Sequence, residues 1–228
     1  MKVVILAGGL GSRISEYTKS IPKPMILINK LPILQHIINF YIKHGFDDFV
    51  IATGYKHRVI EDYFNKKKNK KFKIDLVFTG NKTMTGGRLL RLKKILKERF
   101  FLTYGDGLCN VDLKKLLNFH KNNKKLVTVT AVRPPSRFGV LKIKNKLVID
   151  FREKVQMSEG WINGGFFVIE PKFLNLIKYD KTILEQEPLE KVAQIKQLGA
   201  YRHHGFWHCM DTKRDKDNLE KILKKIKL

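Results

Sequence analysis

With 228 residues, 43% of them apolar and 11% aromatic, the chain can bury a sizeable core and is too hydrophobic to remain disordered. Its 46 Lys and Arg against 21 Asp and Glu give a formal net charge of +25, which suits either a polyanion binder or a lysine-rich surface on a protein whose ligands are small anions. The lysines favour the second reading: they fall in short clusters such as Lys66-Lys67-Lys68, Lys93-Lys94 and Lys124-Lys125, with no basic tail and no aromatic-and-basic stripe, so no nucleic-acid partner is expected.

Val3 to Ala7 is a β-branched apolar run that reads as a strand buried on both faces, too short for a signal sequence. The glycine-rich loop Gly8 to Arg13 follows it. Pro32 to His44 reads as an amphipathic helix with Ile33, Ile37, Phe40 and Tyr41 inward and Gly45 at its end. Phe49 to Thr53 is a second strand, Val59 to Phe64 a short helix and Ile74 to Thr79 a third strand. A helix is expected over Arg88 to Lys97, a strand over Phe100 to Tyr104, a helix capped by Asp112 and a strand over Leu126 to Val132.

This alternation of strands and helices predicts an α/β fold, a mostly parallel sheet with helices on both faces. Beyond Phe138 the rhythm changes. Two hairpin arms meet at Asn145, Ile162 to Ile169 is a strand, and helices are expected over Glu185 to Leu198 and Thr212 to Ile226. No domain boundary stands out, so 1–228 reads as one domain. No apolar run is long enough to cross a membrane, and two unpaired cysteines, Cys109 and Cys209, fit a reducing cytoplasm.

Glycines directly after a buried strand let backbone amides approach a phosphate, while Ser12 adds a hydroxyl and Arg13 a forked cation. The loop lacks the Lys-Ser/Thr of a P-loop and the third glycine of a dinucleotide fingerprint. Ten residues on, Lys23 stands between Pro22 and Pro24, a cation on a stiffened backbone suited to charge developing on a transferring phosphorus. Each feature alone has a bland alternative, a tight turn or a surface turn.

Together, Leu6-Ala7-Gly8-Gly9-x-Gly11-Ser12-Arg13 and Lys23-Pro24-Met25 resemble the signature of sugar-1-phosphate nucleotidyltransferases. Met84-Thr85-Gly86-Gly87-Arg88, Thr103-Tyr104-Gly105-Asp106-Gly107, Pro134 to Gly139, Ile162 to Phe167, Glu185 to Leu189 and Met210-Asp211-Thr212 are similar to the glucose-1-phosphate cytidylyltransferase branch, in register from Met1 to about Leu219. The resemblance implies a three-layer, Rossmann-like α/β sandwich with a mixed sheet and a small β-rich portion that binds sugar. Its nucleotide half would run to about residue 132 and its sugar-phosphate half from about 133 to 228.

The resemblance also implies residue roles. Gly8 to Arg13 would wrap the triphosphate of CTP, with Leu6, Ala7 and Tyr104 lining the same side, and Lys23 would contact the reacting phosphates. Thr85, Gly86 and Arg88 would approach the base, with Arg88 discriminating cytosine. Asp106 and Asp211 would hold Mg²⁺. Gly139, Glu153, Lys154, Asn163, Gly164 and Asp211 would line the sugar 1-phosphate. The implied reaction gives a CDP-sugar for surface-polysaccharide or deoxysugar synthesis, carried out by a homo-oligomer.

Several positions depart from that branch. Ser12 replaces the usual threonine, Val155 follows Glu153-Lys154 in place of proline, His208-Cys209 replaces a Gln-Pro pair, and Phe64 to Ile74 is short where the branch carries a longer insertion. His203, His204, His208 and Cys209 crowd together, yet their spacing matches no zinc pattern. The same chemistry with UTP or dTTP, a metal-dependent glycosyltransferase and a non-catalytic polyanion binder remain the alternatives.

Overall fold

The computed structural model describes residues 1–66, 72–134, 140–152 and 160–226. In chain order the strands are β1 (Lys2–Ala7), β2 (Leu27–Ile28), β3 (Leu31–Pro32), β4 (Asp48–Thr53), β5 (Lys73–Phe78), β6 (Phe100–Tyr104), β7 (Gly107–Cys109), β8 (Val127–Val132), β9 (Val140–Lys144), β10 (Leu147–Arg152), β11 (Ile162–Ile169), β12 (Leu198–His203) and β13 (Trp207–Cys209). The helices are α1 (Ser15–Thr18), α2 (Ile33–Lys43), α3 (His57–Lys66), α4 (Thr85–Leu92), α5 (Leu113–Asn123), α6 (Glu187–Gln194) and α7 (Lys213–Leu223).

Seven strands form one sheet in the order β12-β8-β11-β6-β1-β4-β5. β11 runs antiparallel to both β6 and β8, whereas the pairs β1–β4, β1–β6, β4–β5 and β8–β12 are parallel. Alternate residues of β1 enter two different cores. Val3, Ile5 and Ala7 pack with Ile33, Ile37, Leu116 and Leu219 on one face. Val4 and Leu6 pack with Leu89, Leu92, Phe173 and Val192 on the other. The sheet is therefore buried on both sides, which is why its central strands are continuous apolar runs. The three-layer α/β sandwich with a mixed, mostly parallel sheet is as expected.

Several elements differ from the sequence reading, which did not anticipate the short strands β2 and β3 or the edge strand β12. α4 begins at Thr85 rather than Arg88, taking Gly86 and Gly87 into its first turn. The helix expected over Glu185 to Leu198 covers only Glu187–Gln194, because Lys196 turns left-handed (φ 55°) and the chain enters β12. β7 and β13 were missed. They pair antiparallel over three residues, with Cys209 opposite Gly107.

Glycines in a helix disfavour it by about 1 kcal/mol each relative to alanine, so α4 must gain its first turn from packing. Met84 N donates to Asp180 O, and Gly86 N and Gly87 N donate to Thr182 O. A Cβ on Gly87 would stand 2.1 Å from Asp180 O, so the 180–182 backbone lies where only glycine leaves room. Gly87→Ala is expected to lose stability by about 3 kcal/mol, the upper end of overpacking costs. At Gly9 a Cβ meets nothing within 4 Å, and Gly9→Ala should stay within about 0.5 kcal/mol of the parent. Urea unfolding of the two variants, read as a shift in midpoint at constant slope, checks the contrast.

Candidate active site

β1 and β6 are neighbours, and the chain leaves their carboxyl ends through Gly8 to Arg13 and through Gly105-Asp106. Ligands of open α/β sheets bind in such a crevice. After β1, Gly11 adopts φ 65°, a left-handed turn that sends the chain into the short 3₁₀ turn Ser12–Ile14. Gly9, Ser12 and Arg13 are left exposed at the crevice. Pro22 caps a second 3₁₀ turn, Lys23–Met25, and Pro24 is its middle residue, so Lys23 is held between two prolines inside the fold and is only 8% exposed.

Asp106 and Asp211 lie far apart in the chain, and the β7–β13 ladder brings them together. Asp106 immediately precedes β7, Asp211 follows β13 by two residues, and Met210 N donates to Asp106 O at 2.8 Å. Lys23 Nζ sits between the two carboxylates, 2.5 Å from Asp106 Oδ2 and 2.7 Å from Asp211 Oδ1. Arg13 Nη1 donates to Asp211 Oδ2 at 2.6 Å from an exposed position.

The charges compensate one another. Burial opposes the ammonium of Lys23, but Asp106 and Asp211 outweigh it and hold its pKa above the ordinary lysine range. Burial likewise opposes ionisation of Asp211, and Lys23, helped by Arg13, more than offsets it and holds that carboxyl below its usual range. Beside them the Cys209 thiol is pushed up to about 12 by burial and then by Asp211 and Asp106. It is a neutral weak donor, 3.7 Å from Asp211 Oδ2, rather than a thiolate ligand.

The donor set can be tested against a divalent cation. Two carboxylates converge on one small positive group, the arrangement a hard cation requires. Among the described residues no cluster of three or more His, Cys, Asp or Glu side chains is placed to hold a metal. A cation shared by Asp106 and Asp211 would therefore complete its shell with phosphate oxygens and water, as Mg²⁺ commonly does.

Arg88 is the main departure from expectation. The residue is 3% exposed, and its guanidinium lies beneath the glycine loop. Nη2 donates to Gly8 O at 2.7 Å, and Nη1 donates to Thr53 O, Thr79 Oγ1 and Gly80 O between 2.7 and 3.0 Å. The side chain thus ties together the carboxyl ends of β1, β4 and β5 instead of presenting its fork to a base. Gly86 is also engaged, since its amide donates to Thr182 O.

On the other side of the crevice, Tyr104 at the end of β6 donates its hydroxyl to Glu185, and Asn163 Nδ2 reaches that hydroxyl at 3.4 Å. Gly164 O accepts from Trp207 Nε1 at 2.7 Å. Gly139, Glu153 and Lys154 lie outside the described residues. The histidine group disperses: His203 faces Asn110 Oδ1, His208 faces Cys209 O, and His204 packs on Trp161. The sequence reading assigned no role to Glu185. Its position inside Glu185-Gln186-Glu187-Pro188-Leu189, a block already set apart by its resemblance, was the available signal.

A glycine loop and a lysine–carboxylate trio thus lie together at the carboxyl ends of β1 and β6 on a Rossmann-like sheet. The chain belongs to the nucleotidyl transferase family, whose model matches residues 2–208. It is 45% identical over 248 aligned positions to a glucose-1-phosphate cytidylyltransferase of Salmonella typhimurium, covering 99% of this chain and 96% of the relative. The cytidylyltransferase of Salmonella typhi matches with the same identity and the same coverage. Both alignments are longer than this chain, so the relatives carry segments that it lacks. Among solved structures, HddC from Yersinia pseudotuberculosis complexed with GMP-PN superposes with a TM-score of 0.78 at 25% identity, covering 97% of this chain and 99% of that one.

Proposed function

We propose that the protein transfers a cytidylyl group from CTP to a sugar 1-phosphate, with glucose 1-phosphate as the first candidate, releasing pyrophosphate and a CDP-sugar. The observation that carries this reading is Lys23 Nζ held between Asp106 and Asp211 at the foot of the Gly8 loop. The two Salmonella relatives support the choice of cytosine and glucose.

The attacking group is a phosphate oxygen, already anionic at neutral pH because the second phosphate pKa is about 6. No side chain has to remove a proton, and catalysis becomes positioning and electrostatics. Mg²⁺, when held by Asp106 and Asp211, supplies charge neutralisation to the phosphates. In the free protein Lys23 spends its charge on these two carboxylates. When phosphate oxygens arrive, its ammonium turns from the carboxylates to the phosphates, carried on a backbone that Pro22 and Pro24 already hold in place. Arg13, mostly exposed, can swing from Asp211 to the β and γ phosphates, and its fork suits two of their oxygens. Asn163 and Gly164, with Gly139, Glu153 and Lys154, take the sugar-phosphate side, and Thr85 and Gly86 the side of the base.

On this reading the stretch to about residue 132 handles the nucleotide and the remainder the sugar phosphate. Among the described residues no helix is long and apolar enough to cross a membrane, and the two thiols are unpaired, in keeping with a cytoplasmic enzyme. The β9–β10 hairpin leaves Leu141, Ile143 and Phe151 exposed. A row of that kind supports a homo-oligomer, because monomers seldom leave such apolar rows uncovered.

Incubation with Mg²⁺, glucose 1-phosphate and one of ATP, CTP, GTP, UTP or dTTP, followed by pyrophosphate, tests the assignment. Release with CTP well above the rest is expected. Release with another triphosphate overturns the cytidylyl assignment, and silence with all five overturns the acceptor.

A further inference from the structure

Glu185 joins the two sides of the crevice. Its Oε2 accepts from Thr85 Oγ1 at 2.7 Å, at the first residue of α4. Its Oε1 accepts from the hydroxyl of Tyr104, which ends β6 two residues before Asp106 and is itself approached by Asn163. Thr85 Oγ1 also accepts from Leu184 N at 2.9 Å, so the threonine hydroxyl is oriented from both directions. Burial, and then the adjacent Glu185, raise the Tyr104 phenol and keep it a donor.

The attachment extends along the chain. Asp180 O and Thr182 O accept from the amides at the start of α4, and Asp180 pairs with Arg91 on the same helix. The 180–185 segment is therefore stitched to α4 along its length. Glu185 is the point at which this seam also grips β6 and, through Tyr104, the start of β11. The contacts just described are all that the two carboxylate oxygens need to bridge a helix on the base side to a strand on the sugar side.

We propose that Glu185 is a positioning residue that couples the nucleotide and sugar-phosphate halves of the site, setting Thr85 and the Tyr104–Asn163 pair at a fixed separation. It touches neither reacting group and acts through its two donors. The inference rests on the reading of Thr85 as base-side and Asn163 as sugar-side given above. A carboxylate accepting two neutral hydroxyls makes charge-assisted bonds, stronger than neutral ones, and no uncharged residue supplies two acceptors in that geometry.

Glu185→Ala and Glu185→Gln separate this role from a purely structural one. With whichever triphosphate the parent turns over, Glu185→Ala should raise KM for both the triphosphate and the sugar 1-phosphate by about tenfold each, the factor associated with losing a hydrogen bond to a charged group. The effect on kcat should be smaller. Glu185→Gln keeps the shape and one acceptor, and should recover part of both shifts. In the free protein, hydrogen exchange should quicken together over 85–88 and 162–165 in Glu185→Ala. An unchanged pair of KM values, or a shift confined to one substrate, overturns the coupling. So does exchange that quickens in only one of the two segments. If the parent is silent with every triphosphate, the functional reading fails and the exchange measurement alone decides whether Glu185 couples the segments.

Discussion

Lys23→Ala is expected to lower turnover by about 10²-fold or more, the usual consequence of removing a preorganised charge from a phosphoryl-type transition state. The geometry adds a second, opposite effect. Lys23 neutralises Asp106 and Asp211 in the free protein, and without it these two carboxylates face each other with Arg13 paired to Asp211 alone. Like charges brought together favour a cation between them. The variant should therefore bind Mn²⁺ or Mg²⁺ more tightly in the absence of substrates while turning over more slowly. Calorimetric titration of the metal alongside pyrophosphate release reads both. Turnover near that of the parent removes Lys23 from the mechanism, and weaker metal binding removes its competition for the carboxylates.

Arg88→Ala carries the largest expected loss of stability. Removing the guanidinium takes a donor from each of Gly8 O, Thr53 O, Thr79 Oγ1 and Gly80 O. Tyr55 N stays on Gly8 O, and Thr79 N and Oγ1 stay on Thr53 O, so the loss falls on Thr79 Oγ1 and the half-buried Gly80 O, at about 1–3 kcal/mol for each group that water cannot reach. With the void left by the buried side chain, a total loss of about 4 kcal/mol follows. Arg88→Lys should recover little, because one ammonium cannot reproduce a fork bridging three strand ends. Chemical unfolding measures the loss. A variant of normal stability with altered preference among triphosphates would instead restore Arg88 to the role of reading the base.

The Arg88 case shows where sequence reading reached its limit. The strand–helix alternation, the buried faces of α2 and the Asp112 cap, whose Oδ1 accepts from Lys115 N at 3.0 Å, were legible because periodicity and capping are local. α4 was misplaced because Gly86 and Gly87 oppose a helix by propensity, and only packing against 180–182 places them in one. β12 was hidden because Leu198-Gly199-Ala200-Tyr201-Arg202-His203 is an edge strand without an apolar run. β7 and β13 are three residues each, and a pairing so short has no periodicity to detect.

The same contrast holds within the site. The glycine loop and the Lys23 turn could be recognised because each is contiguous in the chain. That Asp106 and Asp211 converge on Lys23 depends on the β7–β13 pairing, and only the resemblance anticipated it. The direction of Arg88 depends on three strand ends meeting under α4. A residue type with the right chemistry for a base was present, and the fold uses it to hold the loop from below.

On the proposed reading, Asp106 and Asp211 together hold the divalent cation on which nucleotidyl transfer depends. Pyrophosphate release from CTP and glucose 1-phosphate, measured after chelation with EDTA and again after Mg²⁺ is restored, tests it in the parent and in Asp106→Asn and Asp211→Asn. The parent should fall silent and recover, and both variants should stay at least about 10²-fold below it at every Mg²⁺ concentration. Release that is indifferent to chelation, or that persists in either variant, would contradict the account.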